Sequence, residues 1–184
     1  MRIRGRRTVL AAAAGTLAAA ALPIKSHAQK LQTVADGIEH VSPPTPPPEV
    51  PFVAQDGSQH HLSEFKSRGM VVNLWATWCA PCVAEMPSLQ TLAKALAPQD
   101  IAVLPLSSDR GGAEAVAAWY RDHGITALPV LLDPNGAIAQ AVKARGIPTT
   151  LIIDTSNLIV ARLAGGADWG SPEAASLIRK LIAS

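Results

Sequence analysis

Two cysteines separated by two residues stand where an apolar segment meets a helical one. Cys79 and Cys82 are the only cysteines in the chain, and a β-rich apolar run at 70–76 precedes them. A cross-link between residues three apart closes too short a loop to stabilise a fold much, because the entropic gain grows with loop length. Pro81 fixes the backbone between the two thiols, so the pattern predicts a redox dithiol.

A zinc site is the alternative interpretation of a Cys-x-x-Cys pair. Such a site needs a second pair of ligands, and the chain has no other cysteine. His60 and His61 are adjacent in the sequence and so are not spaced for joint ligation. We therefore predict no metal and no other cofactor.

Residues 1–28 have the organisation of an export signal. Basic residues are followed by an Ala- and Leu-rich apolar run at 9–22 and by the small-x-small cleavage pattern Ser-His-Ala at 26–28. The arginine pair at 6–7 resembles the twin-arginine motif, and a Sec signal is the alternative. The apolar run is shorter than the ~20 residues that span a bilayer comfortably. We predict cleavage after Ala28 and a periplasmic protein, with an uncleaved membrane anchor as the alternative.

The positive net charge comes from this signal alone. The chain has 16 basic and 14 acidic residues, and residues 1–28 hold five of the basic ones and no acid. The 11 basic and 14 acidic residues that remain make the rest of the chain weakly acidic. No Lys/Arg cluster is interleaved with aromatic residues, so the sequence predicts no nucleic-acid partner.

Residues 29–49 are rich in proline, and the domain proper is predicted at 50–184. The sequence Ser-Pro-Pro-Thr-Pro-Pro-Pro at 42–48 lacks amide donors at most positions and favours an extended polyproline conformation. We expect this segment to be either a linker or an arm that wraps around the domain.

The predicted domain alternates between strand and helix patterns. It begins with a hairpin turning at Asp56-Gly57, followed by a buried strand at 70–76 and a helix over 81–97 that Pro87 kinks. Further strands are predicted at 101–106, 130–132, 149–153 and 158–163, and further helices at 113–123, 138–143 and 172–183. This alternation predicts an α/β sheet covered by helices on both faces.

Three short motifs carry a resemblance to a known family. They are Trp-Ala-Thr-Trp-Cys-Ala-Pro-Cys at 75–82, Glu-Met-Pro at 85–87 and Gly-Ile-Pro-Thr-Thr at 146–150. Together they resemble the TlpA/ResA-like branch of the thioredoxin family, the exported thiol:disulfide reductases. The resemblance implies an α/β thioredoxin fold with an N-terminal β-hairpin, a mixed sheet and a central βα insert, which residues 100–143 fit.

The resemblance also implies roles for individual residues. Cys79 corresponds to the attacking thiol, Cys82 to the resolving thiol and Pro148 to a cis-proline that faces the dithiol and positions the target peptide. The other residues that it places in the substrate-binding surface are Trp78, Ala80, Pro81 and Ile147.

Glu85 has two interpretations. It lies three residues after Cys82, so a helix places both side chains on one face. The resemblance implies that Glu85 holds and moves a proton for Cys82, whereas its alternative role is to stabilise the helix dipole. Asn73 stands where ordinary thioredoxins have a buried acid, which leaves Glu85 as the candidate proton acceptor.

The residues between the cysteines indicate the direction of electron flow. Ala80 and Pro81 cannot hydrogen-bond to a thiolate or stabilise its charge, which lowers the potential and favours a reductant. The resemblance implies disulfide-bearing client proteins, as in cytochrome c maturation or copper-site assembly, and a membrane thiol electron donor of the DsbD or CcdA type.

Two other functions remain open. A thiol peroxidase would share the architecture, but Val72 stands where the peroxiredoxin motif has a proline, seven residues before Cys79. A copper-binding assembly factor would use a wider cysteine spacing and a distal histidine.

Overall fold

A mixed eight-stranded sheet organises the part of the chain that the computed structural model describes, residues 31–65 and 68–183. The predicted export signal lies outside these residues. The strands are β1 (Gln32–Thr33), β2 (Ile38–Thr45), β3 (Phe52–Ala54), β4 (Gln59–His60), β5 (Met70–Trp75), β6 (Ala102–Ser107), β7 (Leu131–Leu132), β8 (Thr149–Ile153), β9 (Ile159–Ala164) and β10 (Ala167–Asp168). The α-helices are α1 (Val34–Gly37), α2 (Ala80–Leu96), α3 (Gly112–Asp122), α4 (Ala137–Ala141) and α5 (Pro172–Ile182).

The strand order places β5 at the centre of the sheet. The order is β2-β9-β8-β5-β6-β7-β3-β4, with β5 parallel to β6 and antiparallel to β8, while β1 and β10 form a separate parallel pair. All six residues of β5 are buried, as expected of a strand covered on both faces. Since α2 follows β5 after a short loop, the sheet fixes the position from which the cysteine-bearing helix starts.

Helices cover both faces of the sheet, which confirms the predicted fold class. On one face α2, α3 and α5 bury residues such as Leu89, Val116 and Ile178 in a common core. On the other face, a 3-10 turn at Leu62–Phe65 and helix α4 pack Leu62 and Ile138 into a second core. Within the described residues, no helix is long and apolar enough to cross a bilayer.

The hairpin and the central insert meet in the sheet. The predicted hairpin forms as β3 and β4, and β3 pairs with β7 of the insert. β7 in turn pairs with β6, so the insert connects the hairpin to the central strands. The segment at 100–143 is therefore more than a peripheral insert, because it contains β6, the direct neighbour of β5.

Strands that precede residue 50, the predicted start of the domain, pair with strands of the domain. β2 pairs with β9 at the edge of the sheet, and Val34 of α1 is only 2% exposed. Prolines are tolerated on an edge strand because its outer side needs no amide donors. Of the two alternatives for residues 29–49, the described part is the arm.

Candidate functional site

The two cysteines lie at the N-terminus of α2 and are joined in a disulfide. Cys79 is the N-cap residue, and its sulfur accepts the backbone N–H of Cys82 at 3.4 Å. The Cys79 side chain is 7% exposed whereas Cys82 is fully buried. Because the free amides and the dipole at a helix N-terminus stabilise a thiolate, the position favours Cys79 as the nucleophile and Cys82 as the thiol behind it.

An aspartate that follows the neighbouring strand β6 holds the loop that leads to Cys79. The backbone N–H and hydroxyl of Thr77 donate to the Asp109 carboxylate at 2.9 and 2.6 Å. The Ser107 hydroxyl, at the end of β6, donates to the same carboxylate at 2.5 Å. These contacts fix the loop between β5 and α2 against the end of β6. Sequence reasoning missed Asp109, since only the parallel pairing of β5 and β6 brings it near Thr77.

Pro148 lies close to the dithiol at the start of β8. Its peptide bond with Ile147 is cis, which confirms the predicted isomer. The Ile147 carbonyl oxygen is 3.6 Å from the Cys79 sulfur, so the thiol of the reduced protein can donate to it. β8 is the antiparallel neighbour of β5, and this pairing brings residue 148 next to a cysteine 69 positions earlier in the chain.

The residues predicted to contact a substrate differ in their exposure. Trp78 is 69% exposed and Ala80 is also exposed. Pro81 and Ile147 are half-buried, and Pro148 is buried. Trp78, Ala80 and Pro81 flank Cys79 in the sequence, and the Ile147 carbonyl lies next to its sulfur. The structure therefore offers a partly apolar surface around Cys79.

Glu85 is a fully buried carboxylate on α2 with three hydrogen-bond donors. The Asn73 amide donates to Oε1 at 2.8 Å. The backbone N–H of Ala167 and the indole N–H of Trp169 donate to Oε2 at 2.9 and 3.0 Å. Asn73 uses its second N–H for the hydroxyl of Thr150, its cross-strand partner, at 2.9 Å.

Burial raises the pKa of Glu85 above its ordinary value, because the apolar surroundings penalise the charged form. The hydrogen bonds from Ala167, Trp169 and Asn73 act in the opposite direction by stabilising the carboxylate. A buried acid with a raised pKa, one helical turn from Cys82, is a candidate to exchange a proton with that thiol.

The N-terminal arm holds the segment that supplies two of these donors. The Gln32 side-chain amide donates to the Ala164 carbonyl at 2.9 Å, and its backbone N–H donates to the Gly166 carbonyl at 3.3 Å. β1 then pairs with β10, which contains Ala167. The arm therefore positions the loop that carries the Ala167 and Trp169 donors to Glu85. The sequence contained no signal for this contact, because the residues involved are more than 130 positions apart.

Replacing Trp169 by Phe is expected to lower the free energy of unfolding by about 1.5–3 kcal/mol at a pH where Glu85 is ionised, the usual contribution of a hydrogen bond to a charged group. The loss should be smaller at acidic pH, where Glu85 is protonated and needs the donor less. Urea unfolding at both pH values measures the difference. A Trp119→Phe variant is the matched control, because this half-buried indole lies in an aromatic cluster away from Glu85. An equal pH dependence in both variants would contradict the assignment.

The histidines on the hairpin side pair with nearby carboxylates. His60 Nδ1 lies 2.9 Å from Glu64, and His61 Nδ1 lies 3.8 Å from Glu49. Across the described ranges 31–65 and 68–183, no group of three or more His, Cys, Asp or Glu side chains is arranged to hold a metal ion.

Comparisons with known proteins agree with the geometry of the dithiol. The model of the AhpC/TSA family matches residues 43–162. The thiol-disulfide oxidoreductase ResA of Oceanobacillus iheyensis is 36% identical over 98 residues, which are 53% of this chain and 50% of that protein. The thiol:disulfide interchange protein DsbE of Vibrio cholerae is 32% identical over 113 residues, 61% of this chain and 59% of that one. The chain thus spans half to about three fifths of the length of these curated relatives.

A solved structure supports the same fold. The exposed lipoprotein thioredoxin of Streptococcus pneumoniae is 26% identical and superposes with a TM-score of 0.57, covering 73% of this chain and 98% of the other. The resemblance to the ResA-like branch that the sequence motifs indicated is confirmed by these relatives. The family match ends at residue 162, before the Trp169 that donates to Glu85.

Proposed function

Since the chain belongs to the AhpC/TSA family, we propose that it is an exported thiol:disulfide oxidoreductase that reduces disulfides in client proteins. The observation that carries the proposal is the disulfide at the N-terminus of α2, with Cys79 next to Pro148 and buried Glu85 behind Cys82. The names of the ResA and DsbE relatives support the same activity.

The reaction proceeds in two exchange steps. The Cys79 thiolate attacks one sulfur of the client disulfide, so that a mixed disulfide forms and the first client thiolate leaves. Cys82 then attacks the Cys79 sulfur, which closes the Cys79–Cys82 disulfide and releases the second client thiolate. Two electrons pass from the dithiol to the client. Glu85 accepts the proton that Cys82 loses before its attack.

The backbone around the dithiol serves each step. The start of α2 and the N–H of Cys82 stabilise charge on Cys79, so a thiolate is available without a basic side chain. The Ile147 carbonyl next to Cys79 borders the place where the client sulfur approaches. Asp109 holds the preceding loop in position through Thr77.

The reduction potential tests the proposed direction. Because Ala80 and Pro81 offer no charge or hydrogen bond to a thiolate, we expect a potential nearer the about −270 mV of thioredoxin than the about −120 mV of a strong periplasmic oxidant. Equilibration with glutathione buffers, followed by alkylation and mass measurement, gives the value. A potential close to that of the strong oxidant would contradict a reductase.

Two further functions are separated from this one by direct assays. A thiol peroxidase is the second candidate, because peroxiredoxins share this architecture and the family match spans residues 43–162. Val72 in place of the motif proline argues against it, and negligible turnover of hydrogen peroxide by the reduced protein is expected. A copper-binding assembly factor would instead retain copper in stoichiometric amount after desalting.

The proposed location and partners of the protein rest on the export-like pattern of residues 1–28. The organisation of residues 1–28 supports export to the periplasm, with a cleaved signal or an uncleaved anchor as the two forms. An exported reductant needs electrons from across the membrane, which supports a membrane thiol donor of the DsbD or CcdA type. Proteins of cytochrome c maturation or copper-site assembly are the proposed clients.

A further inference from the structure

A cleft of about 930 Å³ lies beside the residue that precedes Cys79. Trp78 forms part of its wall, and the segment after β6, the turn before α4 and α4 itself form the rest. The cleft is lined by, among others, Trp78, Asp109, Arg110, Leu132 and Ala139. Its lining residues other than Trp78 belong to the central insert, so the cleft extends from Trp78 toward that insert.

The charged groups in the cleft leave one cation free. Asp109 already accepts hydrogen bonds from Thr77 and Ser107 with both carboxylate oxygens. Arg110 is exposed and has no hydrogen bond or ion pair with any residue in the ranges 31–65 and 68–183. No other residue lining the cleft is charged. The cleft thus holds one anion, whose oxygens already accept hydrogen bonds, and one exposed cation, Arg110, whose guanidinium can pair with an acidic group of a bound peptide.

Apolar surface lies in the same cleft. In the described part of the chain, Trp78 is the one large hydrophobic side chain that is exposed. Leu132 and Ala139 add apolar wall on the side of the insert. An aromatic face beside a guanidinium suits a polypeptide with an apolar residue near an acidic one, because each side chain then meets a complementary group.

We propose that this cleft seats the client segment next to the disulfide under attack, with an acidic client residue paired with Arg110 and an apolar residue packed on Trp78. The inference rests on the proposed reductase function and names the class of client that the site prefers. An extended segment bound there passes Trp78 and delivers its cystine to Cys79.

Charge reversal at Arg110 tests the preference. The substrates are two disulfide-bonded peptides of equal length and apolar content, one with Asp and the other with Lys beside the cystine. Charges near a cystine also alter its own reactivity, so the decisive quantity is how the ratio of kcat/KM for the two peptides changes between proteins. Since exposed ion pairs contribute modestly, we expect Arg110→Glu to shift this ratio toward the Lys peptide by about tenfold at low ionic strength, and by less in 1 M salt.

Two controls separate the possible outcomes. Arg121→Glu makes the same charge change on exposed α3 surface outside the cleft, so its ratio should match that of the unaltered protein. Hydroxyethyl disulfide, which has no charge or peptide chain, should be reduced equally by all three proteins. An unchanged ratio in Arg110→Glu, or an equal shift in Arg121→Glu, overturns the inference while leaving the reductase intact. If the unaltered protein reduces neither the peptides nor hydroxyethyl disulfide, the proposed function itself fails.

Discussion

A Cys82→Ala variant is expected to stop after the first exchange and to accumulate clients as mixed disulfides on Cys79. The attack that releases the client needs the Cys82 thiol, which the alanine removes, while Cys79 keeps its place at the start of α2. Multiple-turnover reduction should be nearly abolished, because the variant lacks the group that completes the second exchange. Non-reducing electrophoresis and mass spectrometry of the variant expressed with residues 1–28 would identify the trapped clients.

A Cys79→Ala variant is the matched control for the trap. It retains a single thiol, but that thiol is the fully buried Cys82, which a client cannot reach in the folded protein. We expect it to form almost no mixed disulfides. Equal trapping by both variants would show that the two cysteines are not divided into attacking and resolving thiols, and an absence of trapping by Cys82→Ala would contradict a protein-reducing function.

A Glu85→Gln variant is expected to reduce clients about 10²-fold more slowly at neutral pH, the usual effect of removing a proton acceptor. In the unaltered protein the rate should rise with pH as the carboxyl ionises, at a pH above the ordinary range of glutamate because burial raises the pKa of Glu85. The variant should lack this rise. A pH–rate profile measures both effects, and an unchanged profile would reduce Glu85 to a structural role.

The glutamine should fit where the carboxylate lies. Its oxygen can accept from Ala167 and Trp169, and its new N–H can reach the Asn73 oxygen if that amide turns over, since Oδ1 has no partner among the described residues. Glu114→Gln, which changes an acid in the first turn of α3, is the control for loss of charge.

The stability of the folded protein gives a second test of the same group. Where the folded-state pKa of Glu85 lies above its unfolded value, the folded protein binds more protons, and the free energy of unfolding falls as the pH rises. This fall begins near the ordinary value of 4.5 and ends above the raised pKa. Urea unfolding across this range should show the decrease in the unaltered protein and a weaker one in Glu85→Gln.

The sequence predicted the parts of the site that have local causes. The apolar run of β5, the helix that follows it and the hairpin turn at Asp56-Gly57 come from patterns a few residues long. Only four residues separate the end of β5 from the start of α2. The order of the strand and helix patterns in the sequence therefore placed the cysteines at a helix N-terminus. The motif at 146–150 identified the cis-proline through its resemblance to a family, whereas physical reasoning on the residues left its isomer open.

The arm was predicted poorly because local patterns conflict with its environment. Prolines at 43–48 favour a linker, yet the edge of the sheet accepts residues without amide donors, and β2 forms there. Val34 lies with Leu31, Ala35 and Ile38 in a stretch too short to predict which of these apolar residues is buried. Only packing against a core assembled from distant elements shows that it is buried.

The sequence by itself determined the dithiol with its uncharged spacer and placed a glutamate one turn further on, and it predicted export from residues 1–28. The tertiary structure decided what surrounds them. Trp169 lies 84 residues after Glu85, and Asp109 lies 32 after Thr77, so no local pattern could relate them. The pKa of Glu85 depends on burial and on donors from two separate segments, β5 and residues 167–169, and whether a charged group in the cleft is paired depends on which residues lie near Asp109 and Arg110. Those quantities exist only once the strands have paired, because they are set by distances in space and not by separation along the chain.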